Sequence, residues 1–313
     1  MTDTAEKPTI AFVGTGVMGS SMAGHLMDAG YPIVVFNRTK ERAVGLLDRG
    51  AAWASSAGRA AANADIVITI VGYPTDVEDV YLSEGGIIEC ARDGAILIDM
   101  TTSSPQLAKR VASAAAARGL PALDAPVSGG DLGARNATLT IMVGGDEAAF
   151  AQVEELLHVM GTNVVLQGGP GAGQHTKMAN QLAIAGSMFA TVECLAYAKA
   201  VGLDPRRVLD SVGAGSAASW SLSNLAPRIL DGNFGPGFYV KHFVKDLKIA
   251  LSVAEEIGLD LPGCALAKKL YAYLESEGGA SLGTQALWLL YADAQTRVAN
   301  GVAATASTRT ARD

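Results

Sequence analysis

The sequence predicts an N-terminal α/β domain with a doubly wound, mostly parallel sheet, and an all-α domain joined to it by a long helix. Short apolar runs alternate with helical patterns from residue 9 to about residue 166, which is typical of strands separated by crossover helices. No strand-like alternation follows about residue 170, and a long apolar helical pattern opens at Lys177. We therefore assign residues 1–169 and 170–299 to the two domains, and expect the Ala/Thr/Ser/Arg-rich tail at 300–313 to be disordered.

Composition excludes several classes of function. A chain of 313 residues, 49% of them hydrophobic, is long enough for two cores. A net charge of -7 argues against a nucleic-acid surface, because phosphate binding needs clustered positive charge. The three widely spaced cysteines predict reduced thiols in the cytoplasm, and neither they nor the histidines have the spacing of a metal site. The apolar stretch 178–198 contains two amides and a glutamate, so we expect a buried helix and no membrane span.

The first strand and the turn after it contain a clear ligand motif. Thr9 to Val13 is apolar and leads directly into a G-x-G-x-x-G sequence that a helical pattern follows. The first glycine permits a tight turn, the second lets the backbone approach a pyrophosphate, and the third lets helix and strand pack closely. This context predicts a Rossmann-type dinucleotide site, whose residues are Gly14, Thr15, Gly16, Val17, Met18 and Gly19.

The second strand, Ile33 to Phe36, ends in residues that indicate which dinucleotide binds. An NAD-binding chain usually has an acid here to hold the ribose 2′-hydroxyl. This chain has Asn37, Arg38 and Thr39 instead, and the last two can bind a 2′-phosphate. We therefore expect NADP(H) to be favoured over NAD(H).

Two later strands predict the remainder of the cofactor site. They run from Asp65 to Val71 and from Ala95 to Ile98, and in a doubly wound sheet both open at their carboxyl ends onto the ligand crevice. The residues expected near the ribose and nicotinamide are Val71, Gly72, Tyr73 and Thr102.

The other elements of the first domain alternate in the same way. Ser104 is expected to cap a helix that Pro105 begins. The remaining patterns are strands at 51–53, 120–125, 139–143 and 164–166 and helices near 40–48, 56–62 and 148–160.

The strand at 120–125 leads into a second candidate binding loop. Ser128 is followed by Gly129 and Gly130, and a hydroxyl with two glycine N–H groups forms a compact nest for a carboxylate. A plain Gly-Gly turn is the alternative for these residues.

Lys177 opens the long helical pattern together with two amides. The glycine-rich segment 168–173 before it is expected to form an irregular hinge. Lys177, Asn180 and Gln181 fall on one helical face, and we assign a substrate carbonyl as their polar partner. Further helical patterns run at 205–212, 222–229, 241–257, 264–275 and 285–298.

Four motifs in this order resemble the β-hydroxyacid dehydrogenase family, which includes 3-hydroxyisobutyrate dehydrogenase, tartronate semialdehyde reductase and, more distantly, 6-phosphogluconate dehydrogenase. The resemblance covers the chain from residue 8 to about residue 295. The motifs are Gly14–Gly19 with the Met-Ala that follows, Asp124–Gly130, Gly173–Asn180 and Lys245-Asp246-Leu247.

The resemblance implies hydride transfer between NADP(H) and a small carboxylate-bearing β-hydroxyacid or semialdehyde, and a helical domain that forms a homodimer or homotetramer. It implies that Lys177 is the catalytic acid and base and that Asn180 orients it or the substrate oxygen. Ser128, Gly129 and Gly130 would hold the substrate carboxylate. Lys245 would lie near nicotinamide and substrate, although a surface pair with Asp246 is the plain interpretation of that motif.

Three alternatives stay open: an imine reductase, a reductase for a sulfonate-bearing aldehyde of the sulfolactaldehyde type, and a non-catalytic NADP-binding sensor. Imine reductases usually lack a lysine at the position of Lys177, which counts against the first. Two departures from the family leave the exact substrate undetermined. Gln181 stands where some relatives have asparagine, and Asn136-Ala137-Thr138 lacks a glycine that is common in relatives.

Overall fold

The computed structural model describes residues 7–292. The chain forms two compact units that divide between Asn180 and Gln181, inside the long helix. The boundary predicted from the sequence, at 169/170, falls just before that helix. The predicted tail at 300–313 and most of the last predicted helix lie outside the described residues.

Nine strands form one sheet within the described part of the N-terminal unit. They are β1 (Ile10–Val13), β2 (Ile33–Phe36), β3 (Ala52–Trp53), β4 (Ile66–Thr69), β5 (Ile96–Asp99), β6 (Ala122–Asp124), β7 (Val127–Ser128), β8 (Leu139–Gly144) and β9 (Gly161–Gly168). Their order is β3-β2-β1-β4-β5-β6-β8-β7, with β9 against β8. Strands β1 to β6 pair in parallel, whereas β8 runs antiparallel to β6 and β7. The predicted mostly parallel, doubly wound sheet is confirmed, and its strand order reverses between β1 and β4.

Helices cover both faces of this sheet. They are α1 (Val17–Asp28), α2 (Val44–Leu47), α3 (Ala57–Ala61), α4 (Pro74–Leu82), α5 (Ile87–Cys90), α6 (Pro105–Ala116), α7 (Gly130–Arg135) and α8 (Glu147–His158). The next helix, α9 (Ala172–Ala200), begins in this unit and continues into the C-terminal unit. Because successive strand residues face opposite sides, Ile10 and Phe12 belong to one core with residues of α1 and α8. Ala11 and Val13 belong to another, with residues of α3 to α6.

The structure contains elements that the sequence did not predict. The helices α4 and α5 occupy a stretch left unassigned, and β7 and α7 surround the Ser128 loop. The expected irregular hinge at 168–173 is wrong at both ends, since Gly168 ends β9 and Gly173 lies in the first turn of α9. A Cβ on Gly173 would stand 2.4 Å from the carbonyl oxygen of Met142, so this glycine permits close packing rather than bending.

The C-terminal unit is helical, as predicted. Beyond α9 it contains α10 (Pro205–Val212), α11 (Trp220–Asn224), α12 (Ala226–Leu230), α13 (Val240–Glu256) and α14 (Pro262–Ser276). The single helix predicted at 222–229 is divided into α11 and α12 at Leu225, where Pro227 cannot donate a helical hydrogen bond. The last predicted helix begins as the 3-10 turn Thr284–Leu287. Helix α9 is the one helix among the described residues that is long and apolar enough to meet a membrane-span criterion, which core helices of soluble proteins also meet.

Candidate active site

The turn after β1 has the geometry that its three glycines predict. Gly14 has φ +100°, and a Cβ there would stand 2.1 Å from the carbonyl oxygen of Ile70 after β4. A Cβ on Gly19 would stand 1.9 Å from the carbonyl oxygen of Gly14, so this glycine lets α1 pack against the turn. A Cβ on Gly16 would meet no atom within 4 Å. The first and third glycines are therefore required by contacts, and the second leaves open space at the helix N-terminus.

That helix N-terminus suits an anion. Gly16 is the N-cap of α1, and neither a capping side chain nor an acid in the first turn is present among the described residues. Backbone N–H groups and the helix dipole at such an end favour a negatively charged ligand. Thr15, Val17 and Met18 complete the turn, with the Val17 side chain exposed. This donor set fits the pyrophosphate of a dinucleotide.

The loops after β2 and β4 are joined to each other and to this turn. The Asn37 side chain accepts a hydrogen bond from the N–H of Thr15 at 3.0 Å and donates one to the carbonyl of Thr39 at 2.8 Å. The Arg38 side chain is 89% exposed and lies 3.3 Å from a carboxylate oxygen of Asp76. The other oxygen of Asp76 accepts the N–H of Tyr73 at 3.0 Å. Asp76 is an acid near Arg38 that the sequence analysis missed, because it comes from a different strand end.

The loops after β4 and β5 are joined through buried threonines. Val71 donates its N–H to Thr101 Oγ1 at 2.9 Å, and Thr101 donates its own N–H to Asp99 Oδ1 at 3.0 Å. A Cβ on Gly72 would stand 3.1 Å from a carboxylate oxygen of Asp76, and Thr102 is half-buried beside Thr101. The cofactor residues predicted from four separate strands therefore stand at the carboxyl edge of β1, β2, β4 and β5.

The Ser128 loop is a turned segment between β7 and α7. Ser128 pairs with Thr140 of β8, and Gly129 and Gly130 have φ of +131° and +63°. Both glycines occupy backbone conformations that other residues rarely adopt. Helix α7 packs on α1, where His25 Nε2 lies 3.1 Å from the carbonyl oxygen of Ala134. The loop is thus held to the helix whose N-terminus follows the glycine turn.

Lys177 lies in the first two turns of α9 and is only 5% exposed. The helix start is bound to the sheet by Asp124 at the end of β6. One oxygen of this carboxylate accepts the N–H of Gly171 at 2.7 Å, and the other accepts the N–H of Gln174 at 2.8 Å. Asn180, one turn beyond Lys177, is half-buried. The family motif around Asp124 indicated its position, but its role as the anchor of α9 was not predicted.

Two buried acids stand side by side at this edge. Asp99 of β5 and Asp124 of β6 are partners in the parallel register. Burial raises the pKa of Asp124 to about 6, although the N–H groups of Gly171 and Gln174 partly oppose that rise. Burial also raises the pKa of Asp99 to about 6, opposed by hydrogen bonds from Thr101 and Thr69 and supported by the charge of Asp124.

Lys245 belongs to the C-terminal unit, on α13. Its Nζ lies 3.0 Å from Asp246 Oδ1, and the exposed fractions of the two side chains are 12% and 0%. Gln181 donates to the other oxygen of Asp246 at 2.6 Å. The plain interpretation of Lys245 and Asp246 as a surface pair is therefore wrong, and Gln181 has a structural partner within its own unit. Burial and the charges of Lys245 and Lys241 lower the pKa of His242 beside them.

Two family models together match most of the chain. The family model described as the NAD binding domain of 6-phosphogluconate dehydrogenase matches residues 9–169. The family model described as NAD-binding of NADP-dependent 3-hydroxyisobutyrate dehydrogenase matches residues 171–291.

Individual relatives match along almost their whole length. The chain is 54% identical to an uncharacterized oxidoreductase of Bacillus subtilis, YkwC, over 91% of this chain and 99% of that protein. It is 38% identical to 2-hydroxy-3-oxopropionate reductase of Escherichia coli, over 89% and 96% of the two chains. A solved structure of Mycobacterium tuberculosis 3-hydroxyisobutyrate dehydrogenase with L-serine matches with a TM-score of 0.84 and 31% identity, covering 91% and 99%.

The relatives with a named activity are a 2-hydroxy-3-oxopropionate reductase and a 3-hydroxyisobutyrate dehydrogenase, and both matched domain families are described as NAD-binding. From its fold, its glycine turn and these relatives, the chain belongs to the β-hydroxyacid dehydrogenase family of NAD(P)-dependent oxidoreductases.

Proposed function

We propose that this protein transfers a hydride between NADP(H) and a small β-hydroxyacid or its semialdehyde, with Lys177 as the general acid in reduction and the base in oxidation. The reaction is of the 3-hydroxyisobutyrate dehydrogenase or 2-hydroxy-3-oxopropionate reductase type. The observation that carries the proposal is the position of Lys177. It is a buried lysine close after a helix start that Asp124 binds to the carboxyl edge of the dinucleotide-type sheet.

NADPH, when bound, supplies the hydride. Negative charge then develops on the substrate carbonyl oxygen, and Lys177 donates a proton to that oxygen. A positioned proton donor contributes about 10²–10⁴-fold to such a reaction. Asn180 lies one turn further along α9 and orients the Lys177 ammonium or the substrate oxygen.

Ser128, Gly129 and Gly130 hold the substrate carboxylate in this proposal. The two positive φ angles turn the loop so that successive N–H groups can face one anion. L-serine, present with the Mycobacterium tuberculosis relative, and 3-hydroxyisobutyrate both have a hydroxyl β to a carboxylate. Lys245 is assigned to the nicotinamide and substrate by its motif, and its low exposure is consistent with more than a surface ion pair.

NADP(H) is favoured over NAD(H) because Arg38 follows β2 with an exposed side chain and no acid stands among residues 37–39. The description of the C-terminal family model as NADP-dependent agrees with this preference. Asp76 opposes it, since its carboxylate lies 3.3 Å from Arg38, but the Arg38 side chain remains accessible to a phosphate.

Two further proposals concern the assembled protein. We assign it to the cytoplasm, in keeping with three free cysteines, and expect a homodimer or homotetramer. Large exposed apolar side chains in the C-terminal unit support self-association; they include Tyr197, Val201, Leu203, Ile257, Leu259, Leu266 and Tyr273. Analytical ultracentrifugation would test the oligomeric state, and a monomer at micromolar concentration would contradict the proposed homo-oligomer.

The function is tested by NADPH oxidation over a panel of tartronate, methylmalonate and succinate semialdehydes, a sulfonate-bearing aldehyde and a cyclic imine, each repeated with NADH. We expect turnover of a carboxylate semialdehyde, and its loss by at least about 10²-fold in Lys177→Ala with NADPH binding kept. Lys199→Ala, at an exposed lysine of the same helix, is the matched control.

Other outcomes would identify the alternatives. Turnover of the imine alone would assign an imine reductase, and turnover of the sulfonate aldehyde alone would change the anion that the Ser128 loop binds. Tight NADPH binding without turnover of any compound would support the sensor. A fully active Lys177→Ala variant would remove the catalytic assignment.

A further inference from the structure

Gln174 is a fully buried glutamine at the start of α9, three residues before Lys177. Both ends of its amide are bonded to the loop after β5. Its oxygen accepts the N–H of Ser103 at 2.8 Å, and its nitrogen donates to the carbonyl of Thr101 at 2.8 Å. Because one partner is a donor and the other an acceptor, the amide has a single satisfied orientation.

The backbone of Gln174 is held as firmly as its side chain. Its N–H donates to Asp124 Oδ2 at 2.8 Å, and the same carboxylate accepts the N–H of Gly171. Cβ atoms on Gly144 or Gly173 would come within 3 Å of neighbouring backbone atoms, so the helix start is in close contact with the sheet. The first turn of α9 therefore has two anchors, one from β6 and one from the loop after β5.

The second anchor continues to the predicted cofactor loop. Thr101, whose carbonyl binds Gln174, also accepts the N–H of Val71 with its hydroxyl. Ile70, the residue before Val71, donates its N–H to the carbonyl of Val13 at 2.9 Å, directly before Gly14. A continuous set of contacts thus links the glycine turn to the first turn of α9.

We propose that Gln174 is a positioning residue for Lys177. Side chains three residues apart lie on the same face of a helix, so the two hydrogen bonds of Gln174 fix the turn from which the Lys177 side chain projects. Proton donation requires the donor to be within hydrogen-bond reach of the reacting oxygen, and a displacement of about 1 Å can cost about 10²-fold in rate. The inference rests on the proposed role of Lys177.

A purely structural role would give a different result, and the chain contains a control for it. Gln285 is also buried, and its amide nitrogen donates to the carbonyls of Asn233 and Gly235 at 3.1 and 3.0 Å. Gln174→Met and Gln285→Met remove two hydrogen bonds each with little change of volume. Both should lower the free energy of unfolding by similar amounts, while only the first loosens the turn before Lys177.

The test measures kcat, KM and the NADPH dissociation constant of both variants well below their melting temperatures. For Gln174→Met we expect kcat to fall by about 30–100-fold, with KM and NADPH binding within about threefold of the parent. For Gln285→Met we expect kcat, KM and the NADPH dissociation constant all to remain within about threefold of the parent values. Unchanged kcat in Gln174→Met, or an equal fall in both variants, overturns the proposal.

Gln174→Glu keeps the proposal testable if the methionine variant does not fold. An ionised carboxylate would face the Thr101 carbonyl without a donor, whereas a protonated carboxyl restores both a donor and an acceptor. We expect kcat to be low at pH 8 and to recover toward the parent value near pH 6. The titratable groups nearby are Asp99 and Asp124 on the sheet, Lys109 on α6, and His175 and Lys177 on α9. Each rate is therefore divided by the parent rate at the same pH. A ratio that does not change with pH overturns the proposal.

The Lys177→Ala variant separates this inference from the proposed function. If the parent reduces no semialdehyde, or Lys177→Ala retains the full rate, the proposed function fails and this inference fails with it. If the parent is active, Lys177→Ala is inactive and Gln174→Met is fully active, the inference alone fails.

Discussion

The N-termini of α1 and α9 both follow glycine-rich segments, yet they are built in opposite ways. At α1 the capping residue is Gly16, which has no side chain and has open space beside it. At α9 the buried carboxylate of Asp124 accepts hydrogen bonds from Gly171 and Gln174. The glycines differ as well, since Gly16 borders open space while Gly173 is crowded by backbone.

This difference shows two uses of one electrostatic feature. The N-terminus of a helix carries partial positive charge and N–H groups that lack partners within the helix. At α1 those groups are available to the phosphates of a ligand. At α9 the protein supplies its own anion, which fixes the helix and with it Lys177. One helix start is therefore suited to binding and the other to positioning, and the substitutions below test or sharpen this contrast.

The largest effect is expected at the glycine turn itself. Gly14→Ala places a methyl group 2.1 Å from a carbonyl oxygen at a positive φ. It should cost about 3–5 kcal/mol in the free energy of unfolding and abolish NADPH binding. Gly16→Ala should change that free energy by less than about 0.5 kcal/mol and still raise the NADPH dissociation constant about tenfold or more.

Chemical denaturation and NADPH fluorescence titration would measure both quantities. If Gly16→Ala bound NADPH as tightly as the parent, the open space beside Gly16 would not be the phosphate site and the contrast between the two helices would fail.

The next effect concerns the carboxylate that binds α9. The pKa of Asp124 is raised from 3.8 to about 6, so between these values the folded protein binds more protons than the unfolded chain. The contribution of this group to stability is therefore greatest at low pH and declines as pH rises to about 6. The free energy of unfolding of Asp124→Asn, measured relative to that of the parent, should rise by up to about 3 kcal/mol from pH 4 to pH 7.

Urea unfolding at several pH values would measure this difference. Asp146→Asn, at the exposed cap of α8, is the matched control for replacing a capping carboxylate. If the difference in free energy of unfolding between parent and variant were constant with pH, folding would not disfavour the ionised form of Asp124.

A smaller effect is expected at Arg38, the residue proposed to contact the 2′-phosphate by which NADP differs from NAD. Arg38→Ala should weaken NADPH binding about tenfold, because a guanidinium–phosphate contact is lost, and leave NADH binding within about twofold. Arg110→Ala, which removes an exposed arginine paired with Glu78, is the control. If the variant bound NADPH and NADH more weakly by the same factor, Arg38 would not contact the 2′-phosphate.

The smallest effect is expected at Ala137, which has φ +53° and is the one non-glycine residue with positive φ among the described residues. Ala137→Gly should raise the free energy of unfolding by about 0.5–1 kcal/mol, since relief of the left-handed strain exceeds the added chain entropy. A lower melting temperature in this variant would contradict that account.

Part of the fold and candidate site could be predicted because local sequence determines it. Alternating apolar runs gave the strands β1, β2, β4 and β5, and Ser104 caps α6 by accepting the N–H of Leu107 as expected. Two of the elements that were not predicted are short. Strand β7 is two residues long and α7 six, which is too little sequence for a periodic pattern to form. Helix α4, with nine residues, was not predicted either.

The sequence by itself determined the dinucleotide-type turn, because the surrounding backbone requires glycine at positions 14 and 19, and Gly16 leaves the helix N-terminus open. It also determined the position of Lys177 on a helix with Asn180. Only the tertiary structure decided what holds Lys177 in place. Asp124 and Thr101 precede Gln174 by 50 and 73 residues, and no local pattern specifies which carboxylate or carbonyl a buried amide will meet. Those pairs form only when parallel strands bring their carboxyl ends to one edge of the sheet.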